Sequence, residues 1–476
     1  MSVHIIVNNS LCQVVNHSKE MHKELSEKLR FKDQAIEFSY DSNLRKMARL
    51  NLLLSSDKFF GNKEKLQREL WQCVAINREL EKDLWRPLFD SDGYFPTGLL
   101  PMVRSIFEIR DERVEIKDQR KKPTKSVNFV LREQFPPMRY YQKDANSELQ
   151  THHRGVVVMP TGTGKTKTAC RMIWELGVKT LIVTPGKSIV SLMMTDLVKH
   201  FGKGKVQKLT TKSVKTKEIN VVNIQAMALM DPKIFEDMQA VIIDEFHHAA
   251  ADTYLVANED HLKNCYYRIG LTATNFRNDG AGLALESVLS NVLYEYPIKQ
   301  AIKDGYLMQP EFEWVPITLG EGQSYQKAYK EEIVENDERN EKIAEIVDRH
   351  ADDHVLILVK QVEHGERLKE LLPDAEFIHG LTKDDDREDI MNDFRKGKLK
   401  CLIGTSVIGE GVDLPVANVL IMAGGGKARS QIMQNIGRIL RILEGKEFAK
   451  VYDFTDSDGT WLGDHAEQRR EIYKIY

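Results

Sequence analysis

Residues 156–170 read VVVMPTGTGKTKTAC. Three valines, a turn with one proline and two glycines, and a run of helix formers follow one another directly. Few folds accept that order. A strand this apolar is buried on both faces, as in parallel sheets covered by helices. A glycine-bearing turn that opens straight into a helix presents backbone N–H groups and the positive end of the helix dipole. The stretch therefore predicts an α/β unit with an anion-binding loop at the carboxyl end of a strand. Pro160, Thr161, Gly162, Thr163 and Gly164 are placed to wrap phosphate oxygens. Lys165 would reach the β and γ phosphates, and the Thr166 hydroxyl would hold Mg²⁺. Met159 stands where the G-x-x-x-x-G-K-[ST] pattern has its first glycine, but the groups that touch phosphate remain.

The surrounding pattern extends this unit. GVVVM, TLIVTP, INVVNI, AVIIDE and YRIGLTAT are short apolar runs separated by amphipathic segments. A second set follows Pro310: HVLILVK, AEFIHG, KCLIGTS, NVLIMAG and AKVYDF. Runs of this kind predict parallel strands with crossover helices. The expected fold class is α/β, two tandem parallel-sheet lobes behind a small α+β N-terminal domain. The expected boundaries are an N-terminal domain at 1–117, a basic linker at 118–134, lobes at 135–309 and 310–456, and a terminal helix at 457–476. The linker contains QRKKPTK, whose charge fits a solvated tether.

AVIIDEFHH, 240–248, is an apolar strand that ends in two carboxylates. At a parallel strand's carboxyl end they would lie beside the phosphate loop. Asp244 would hold Mg²⁺ through water, and Glu245 would orient and deprotonate an attacking water. His247 and His248 lack a third ligand at zinc spacing.

Composition narrows the classes. The net charge of −3 gives no global field toward polyanions or anionic lipid, so any such contact is local. Five scattered cysteines without a C-x-x-C pair argue against a zinc ribbon, an iron–sulfur cluster or a disulfide scaffold, and favour a reducing compartment. No signal-peptide pattern opens the chain, and no run reaches the roughly 20 apolar residues of a membrane helix. A soluble cytoplasmic protein is expected.

Taken in order, the motifs from Phe135 to Asp456 resemble those of superfamily 2 helicases with a DExH box. That resemblance implies two RecA-like lobes, ATP as the nucleotide and a phosphate loop without the first glycine. FPPMRYYQKDA resembles the adenine-recognising segment, through Arg139 and Gln142. DEFH would place His247 beside Asp244 and Glu245 at the nucleotide. TPGKSIV and NIQAM look like DNA-contacting motifs, through Gly186, Lys187 and Gln225. LTAT resembles the segment coupling hydrolysis to motion, through Thr272 and Thr274. ILVKQVEHGERL looks like motif IV, and GTSVIGEGVDLP like motif V. The latter implies DNA contacts at Thr405 and Ser406 and nucleotide contacts at Gly411 and Asp413. QNIGRILR resembles motif VI, with Gln434, Arg438 and Arg441 acting in catalysis from the opposite lobe.

YEYPIKQAIKDGYL after LTATNFRND is similar to the restriction-subunit, excision-repair and recombination group. The N-terminal domain, with FPTGLLPMVRSIF, looks like that of the phage recombination helicases of the UvsW type and their T5-like relatives. This resemblance implies an ATP-dependent DNA helicase or translocase acting on branched or duplex DNA in the host cytoplasm. Its work would be branch migration and fork or D-loop unwinding in recombination, repair or replication, as a monomer with recombination or replication partners. The alternatives are a restriction-type motor subunit and a nucleotide-gated clamp on branched DNA. The lysine-rich stretch 202–217 is either an added electrostatic grip on duplex or a guarded sheet edge.

Overall fold

The computed structural model describes residues 3–55, 62–130, 135–245, 251–274, 282–317, 325–405, 408, 414–456 and 461–476. Six short strands open the chain: β1 (Val3–Val7), β2 (Leu11–Val15), β3 (Arg30–Lys32), β4 (Trp85–Pro87), β5 (Tyr94–Pro96) and β6 (Val114–Asp118). Four of them form a sheet in the order β5-β2-β1-β6, antiparallel except for β1 beside β6. Ile5 and Val7 on β1, with Cys12 and Val14 on β2, are buried, while their neighbours are half-exposed. That period of two buries one face only. Helix Leu100–Ile109 covers it through Val103, Ile106 and Phe107. β3 and β4 form a separate two-stranded ribbon from which helices Gln34–Ser55 and Lys63–Asp83 extend.

The second sheet has seven parallel strands: β7 (Arg154–Val158), β8 (Thr180–Thr184), β9 (Val206–Lys208), β10 (Ile219–Asn223), β11 (Ala240–Asp244), β12 (Tyr267–Thr272) and β13 (Val292–Glu295). Their order is β13-β7-β12-β11-β8-β10-β9. The third has six parallel strands: β14 (Pro310–Pro316), β15 (Val355–Leu358), β16 (Glu376–Ile378), β17 (Cys401–Gly404), β18 (Val419–Ile421) and β19 (Ala449–Thr455), in the order β14-β19-β18-β15-β17-β16. The fold is therefore two parallel-sheet α/β lobes behind an α+β unit, as the apolar runs predicted. β7, β8, β11 and β15 are buried along their whole length. Each Val, Ile or Leu side chain buried there stabilises the sheet by about 1.5–3 kcal/mol.

The lysine-rich stretch supplies β9, the outer strand of its sheet. Lys205 pairs with Glu218 at 2.5 Å, and the Lys217 ammonium donates to the carbonyls of Lys203 and Val206. Those lysines cover an edge, which fits the guarded-edge alternative. The chain ends in helix Trp461–Tyr473. There Arg469, fully buried, pairs with Asp453 at 2.7 Å and donates to the Gly426 carbonyl at 2.9 Å. Among the described residues no helix is long and apolar enough to cross a membrane.

Candidate active site

The carboxyl ends of β7, β11 and β12 lie side by side, because β12 pairs with both other strands. They bring together the 160–164 loop, Asp244 with Glu245, and Thr272 with Thr274. Met159 is the last residue before the loop. It is fully buried, and its N–H donates to the Thr272 carbonyl at 2.9 Å. Its side chain belongs to the lobe core, which is why a large residue fits where the common pattern has glycine.

The loop then turns through Gly162 and Gly164, both with positive φ (87° and 90°), which glycine adopts without strain. Thr163 is fully buried and donates its hydroxyl to the Pro160 carbonyl at 2.7 Å. The Thr163 carbonyl accepts from the Tyr141 hydroxyl at 2.7 Å and from the Gln142 amide at 2.9 Å. Gln142 also accepts the Arg139 N–H at 3.0 Å through its side-chain oxygen, which satisfies one free donor at the start of helix Tyr140–His152. Gln142, expected at the adenine edge, is placed as a brace on the phosphate loop. Arg139 lies with its guanidinium 4.1 Å from the Tyr306 ring centre and donates to the Tyr141 hydroxyl. Tyr141 stacks on Tyr296 at 4.0 Å. This aromatic bracket was not anticipated; its tyrosines come from two separate segments, FPPMRYYQKDA and YEYPIKQAIKDGYL, and no spacing ties them together.

Lys165 opens helix Lys165–Leu176. Its ammonium lies 3.0 Å from the Glu245 carboxylate and 3.3 Å from the Met159 carbonyl. Glu245 holds a left-handed backbone (φ 45°), rare for a non-glycine residue and a form of strain that gathers at functional sites. Its carboxylate also accepts the Ala273 N–H at 3.3 Å, which ties it to the LTAT segment. Within that segment Thr272 and Thr274 are buried, and the Thr272 hydroxyl both accepts from and donates to the Thr274 backbone. Asp244 is buried. Loss of water, and then the charge of Glu245, push its carboxyl up to about 7, against the opposing pull of Lys165. The buried Asp244 carboxylate and the Thr166 hydroxyl, next to Lys165 in the chain, are hard-oxygen donors of the kind that fit Mg²⁺, which takes few protein ligands and the rest from phosphate and water.

The second lobe closes over this loop. Helix Arg429–Ile439 carries Gln434 and Arg438, both more than nine-tenths buried. Its Gly437 meets the loop directly: a Cβ there would lie 2.9 Å from the Thr161 Cβ. A Cβ on Gly162 would lie 3.0 Å from Arg441 Cγ and 3.4 Å from Arg441 Nε. The segment between the lobes fixes this register. Leu307 forms an antiparallel bridge with Arg441, and the Met308 N–H donates to the Leu440 carbonyl at 2.8 Å. Lys446 then donates to the carbonyls of Ile439, Ala417 and Pro415 at 2.6, 2.6 and 3.1 Å, capping the helix end before Arg441. Leu307, Gly437 and Lys446 were not singled out from sequence.

The expected DNA contacts follow other strand ends. Gly186 caps helix Lys187–Phe201 beyond β8; exposed Gln225 follows β10 and accepts from the Asn223 amide at 2.7 Å. Thr405 follows β17 and lines an open cleft together with Lys360, Gly424, Gly426, Lys427 and Asn435. His247, Ser406, Gly411 and Asp413 lie outside the described residues, and the Lys187 side chain is not described.

Two family models match this chain. One, the res subunit of type III restriction enzymes, covers residues 135–277; the other, the helicase conserved C-terminal domain, covers 338–443. A 3'-5' DNA helicase named Rad25 from Halobacterium salinarum is 27% identical over 77% of this chain, and the chain spans 62% of that relative. A helicase named D10 from Escherichia phage T5 is 27% identical over 66% of this chain and 70% of its own length. A fragment structure of an HsdR subunit of a type I restriction enzyme from Vibrio vulnificus covers 80% of this chain and 73% of that fragment, with a TM-score of 0.55 and 18% identity, a likeness of fold. The two matched stretches take in more than half of the chain, the phosphate loop in one and the arginine-bearing helix in the other: the chain belongs to the superfamily 2 helicases.

Proposed function

We propose that this chain is an ATP-driven DNA helicase or translocase that remodels branched DNA, including four-way junctions, forks and D-loops. The observation that carries this is the packing of residues 437–441 on the 160–164 loop across two sheets. A triphosphate held by that loop would be met from the other side by Arg438 and Arg441. In phosphoryl transfer such an arginine contributes about 10³–10⁵ in rate. Hydrolysis would remove what holds the lobes together, so the cleft converts chemistry into relative motion.

Each residue takes a role that its surroundings support. Lys165, resting on Glu245, would transfer to the β and γ phosphate oxygens. That releases Glu245 to orient a water and accept its proton. Asp244 and Thr166 would hold Mg²⁺, whose charge offsets that of the phosphate oxygens. Gln142, with Arg139 and the tyrosine bracket, would receive the adenine. Thr272 and Thr274 join the Glu245 strand end to the lobe surface and would report the state of the cleft. Gly186, Lys187, Gln225, Thr405 and Ser406, with Lys360 and the glycine-rich cleft wall, would follow the DNA backbone through amides, hydroxyls and charge rather than base edges. The relative from phage T5, named as a helicase, suits a phage setting, and the name of the archaeal relative makes 3'-5' movement the expected direction.

Strand separation tests the reading, on forks, four-way junctions and RNA duplexes, with ATP and with a non-hydrolysable analogue. DNA-stimulated hydrolysis and ATP-dependent remodelling of junctions are expected. Tight junction binding with no turnover would replace the motor by a clamp. Lys165→Ala should abolish turnover and movement while leaving most DNA binding.

A further inference from the structure

Helices Gln34–Ser55 and Lys63–Asp83 form an antiparallel hairpin that leaves the body of the protein at the β3–β4 ribbon. A helix of this length extends about 33 Å, close to one turn of duplex DNA. The seam between the helices is fixed by polar contacts. The Asn43 amide donates to the Cys73 carbonyl at 2.7 Å and to the Asn77 side-chain oxygen at 2.8 Å, beside buried Leu50 and Cys73. An asparagine pair of this kind, with Asn77 buried and Asn43 half-buried, sets register. The hairpin is thus a defined arm, and Phe38, Leu52 and Trp71 on its outer surface are exposed.

Charge is divided along that arm. The half away from the ribbon, residues 42–55 and 62–70, carries six cations (Arg45, Lys46, Arg49, Lys63, Lys65, Arg68) against two anions. The half near the ribbon, 34–41 and 71–83, carries two cations against five anions. From Ser42 to Ser55 the first helix holds no acidic residue. Arg45, Lys46 and Arg49 are exposed and have no ion-pair partner among the described residues. Arg45 and Arg49 share the outermost stripe of the helix with Phe38 and Leu52, 73% and 71% exposed. A chain of nearly neutral net charge has concentrated unpaired cations on one projecting surface, which complements a polyanion.

We propose that the distal half of this hairpin grips the phosphate backbone of a duplex arm of the branched DNA through Arg45, Lys46 and Arg49. The proposal rests on the function given above and names the element that engages DNA outside the motor track. Removing three phosphate contacts weakens binding most at low salt and flattens the salt dependence of log K by about 2.7, at about 0.9 per contact. At 0.15 M salt that corresponds to about a 10²-fold loss of affinity.

The test compares the full chain with its Arg45→Ala/Lys46→Ala/Arg49→Ala variant, which alters exposed residues only. Affinity for a four-way junction is measured from 50 to 200 mM KCl, and ATP hydrolysis with saturating single-stranded oligonucleotide serves as the motor control. The expected result is weaker junction binding with the flatter slope, and single-strand-stimulated hydrolysis within twofold of the parent. An unchanged junction affinity and slope overturns the proposal and leaves the arm to a protein partner met by Phe38 and Leu52. Equal losses on junction and single strand also overturn it, since the cations would then serve the motor track. A parent chain without DNA-stimulated hydrolysis removes the motor reading itself, a separate outcome.

Discussion

Gly437→Ala sets two consequences of one methyl group against each other. Gly437 lies within helix Arg429–Ile439, without a positive φ. Alanine is therefore compatible with the backbone and favours the helix by about 1 kcal/mol over glycine. The new Cβ, however, lies 2.9 Å from Thr161 Cβ, an atom fixed to the backbone of the phosphate loop. Carbon contacts are optimal at about 3.5–4.0 Å, so the surfaces must part by roughly 0.6–1.1 Å. Overpacking of this size costs about 1–3 kcal/mol, all of it charged to the closed arrangement of the lobes. ATP turnover at subsaturating ATP should fall about 5- to 150-fold, while the thermal midpoint of unfolding stays level or rises. Steady-state hydrolysis with saturating DNA, and calorimetry of the same preparations, read the two effects. Parent-level turnover in a folded Gly437→Ala variant would mean that the helix does not approach the loop during catalysis, and the two-lobe mechanism would fail.

Three further outcomes are expected. Arg441→Ala should keep ATP affinity within an order of magnitude while single-turnover hydrolysis falls by about 10³ or more; an unchanged rate would remove the assignment of Arg441 as the stabilising arginine. Asp244, raised from 3.8 to about 7 by burial and by Glu245, binds a proton in the folded chain at pH values where the unfolded chain has released it. Its contribution to stability is therefore present below about pH 4, is lost as pH rises through 4–7, and stays lost above. Unfolding midpoints of the chain without Mg²⁺ should fall across that window, and Asp244→Asn should flatten the fall; an identical profile in the variant would contradict the assignment. Gly98→Ala places a Cβ 2.1 Å from the Glu286 carbonyl oxygen and 2.4 Å from that of Ser287. Backbone meets side chain there with no flexible atom to yield, so the N-terminal sheet should loosen from the first lobe; limited proteolysis should cut between 110 and 135 faster than in the parent, and equal cutting would refute the contact's role.

The parts legible in the sequence were those in which local pattern and tertiary use coincide. β7, β8, β10, β11 and β12 are buried on both faces, so apolarity alone marked them, and the glycine-bearing turn after β7 needed no distant information. β13 and β14 escaped notice, and β9 entered only as one of two readings of the lysine-rich stretch. β9 and β13 are short strands at the sheet margins, and in β14 (PEFEWVP) charged and apolar residues interleave without a continuous run. Gln142 was identified by resemblance, but its bond to the Thr163 carbonyl depends on a helix and a loop meeting in space, which no spacing encodes. Gly437 is the sharper case. Its neighbour is Thr161, in the other lobe, and nothing local in QNIGRILR encodes that approach of two backbones.

The arrangement of the N-terminal sheet bears on what moves. Arg154 and Arg268 stand opposite each other at the first turns of β7 and β12, the ends away from the phosphate loop. Arg268 donates to the Ser10 hydroxyl at 2.6 Å and to the Leu262 carbonyl at 2.7 Å, and Arg154 donates to the Asn9 carbonyl. Both guanidinium groups are buried and, among the described residues, have no carboxylate partner; neutral oxygens of the β1–β2 turn and its neighbours hold them, and burial lowers the pKa of each. Separating that turn from the lobe would leave two buried cations short of acceptors, a costly state. The N-terminal sheet, and with it the helical arm at 34–83, is therefore bound to the first lobe on the edge opposite the cleft. A stroke generated between Thr161 and Gly437 must then move the second lobe against a unit made of the first lobe and the arm. If the arm holds a duplex, the second lobe walks while the junction stays gripped. A fluorescence pair between residues 48 and 147, both exposed, should hold constant transfer through the ATP cycle, whereas a pair between 147 and 370 should change; motion in the first pair alone would reverse this division of labour.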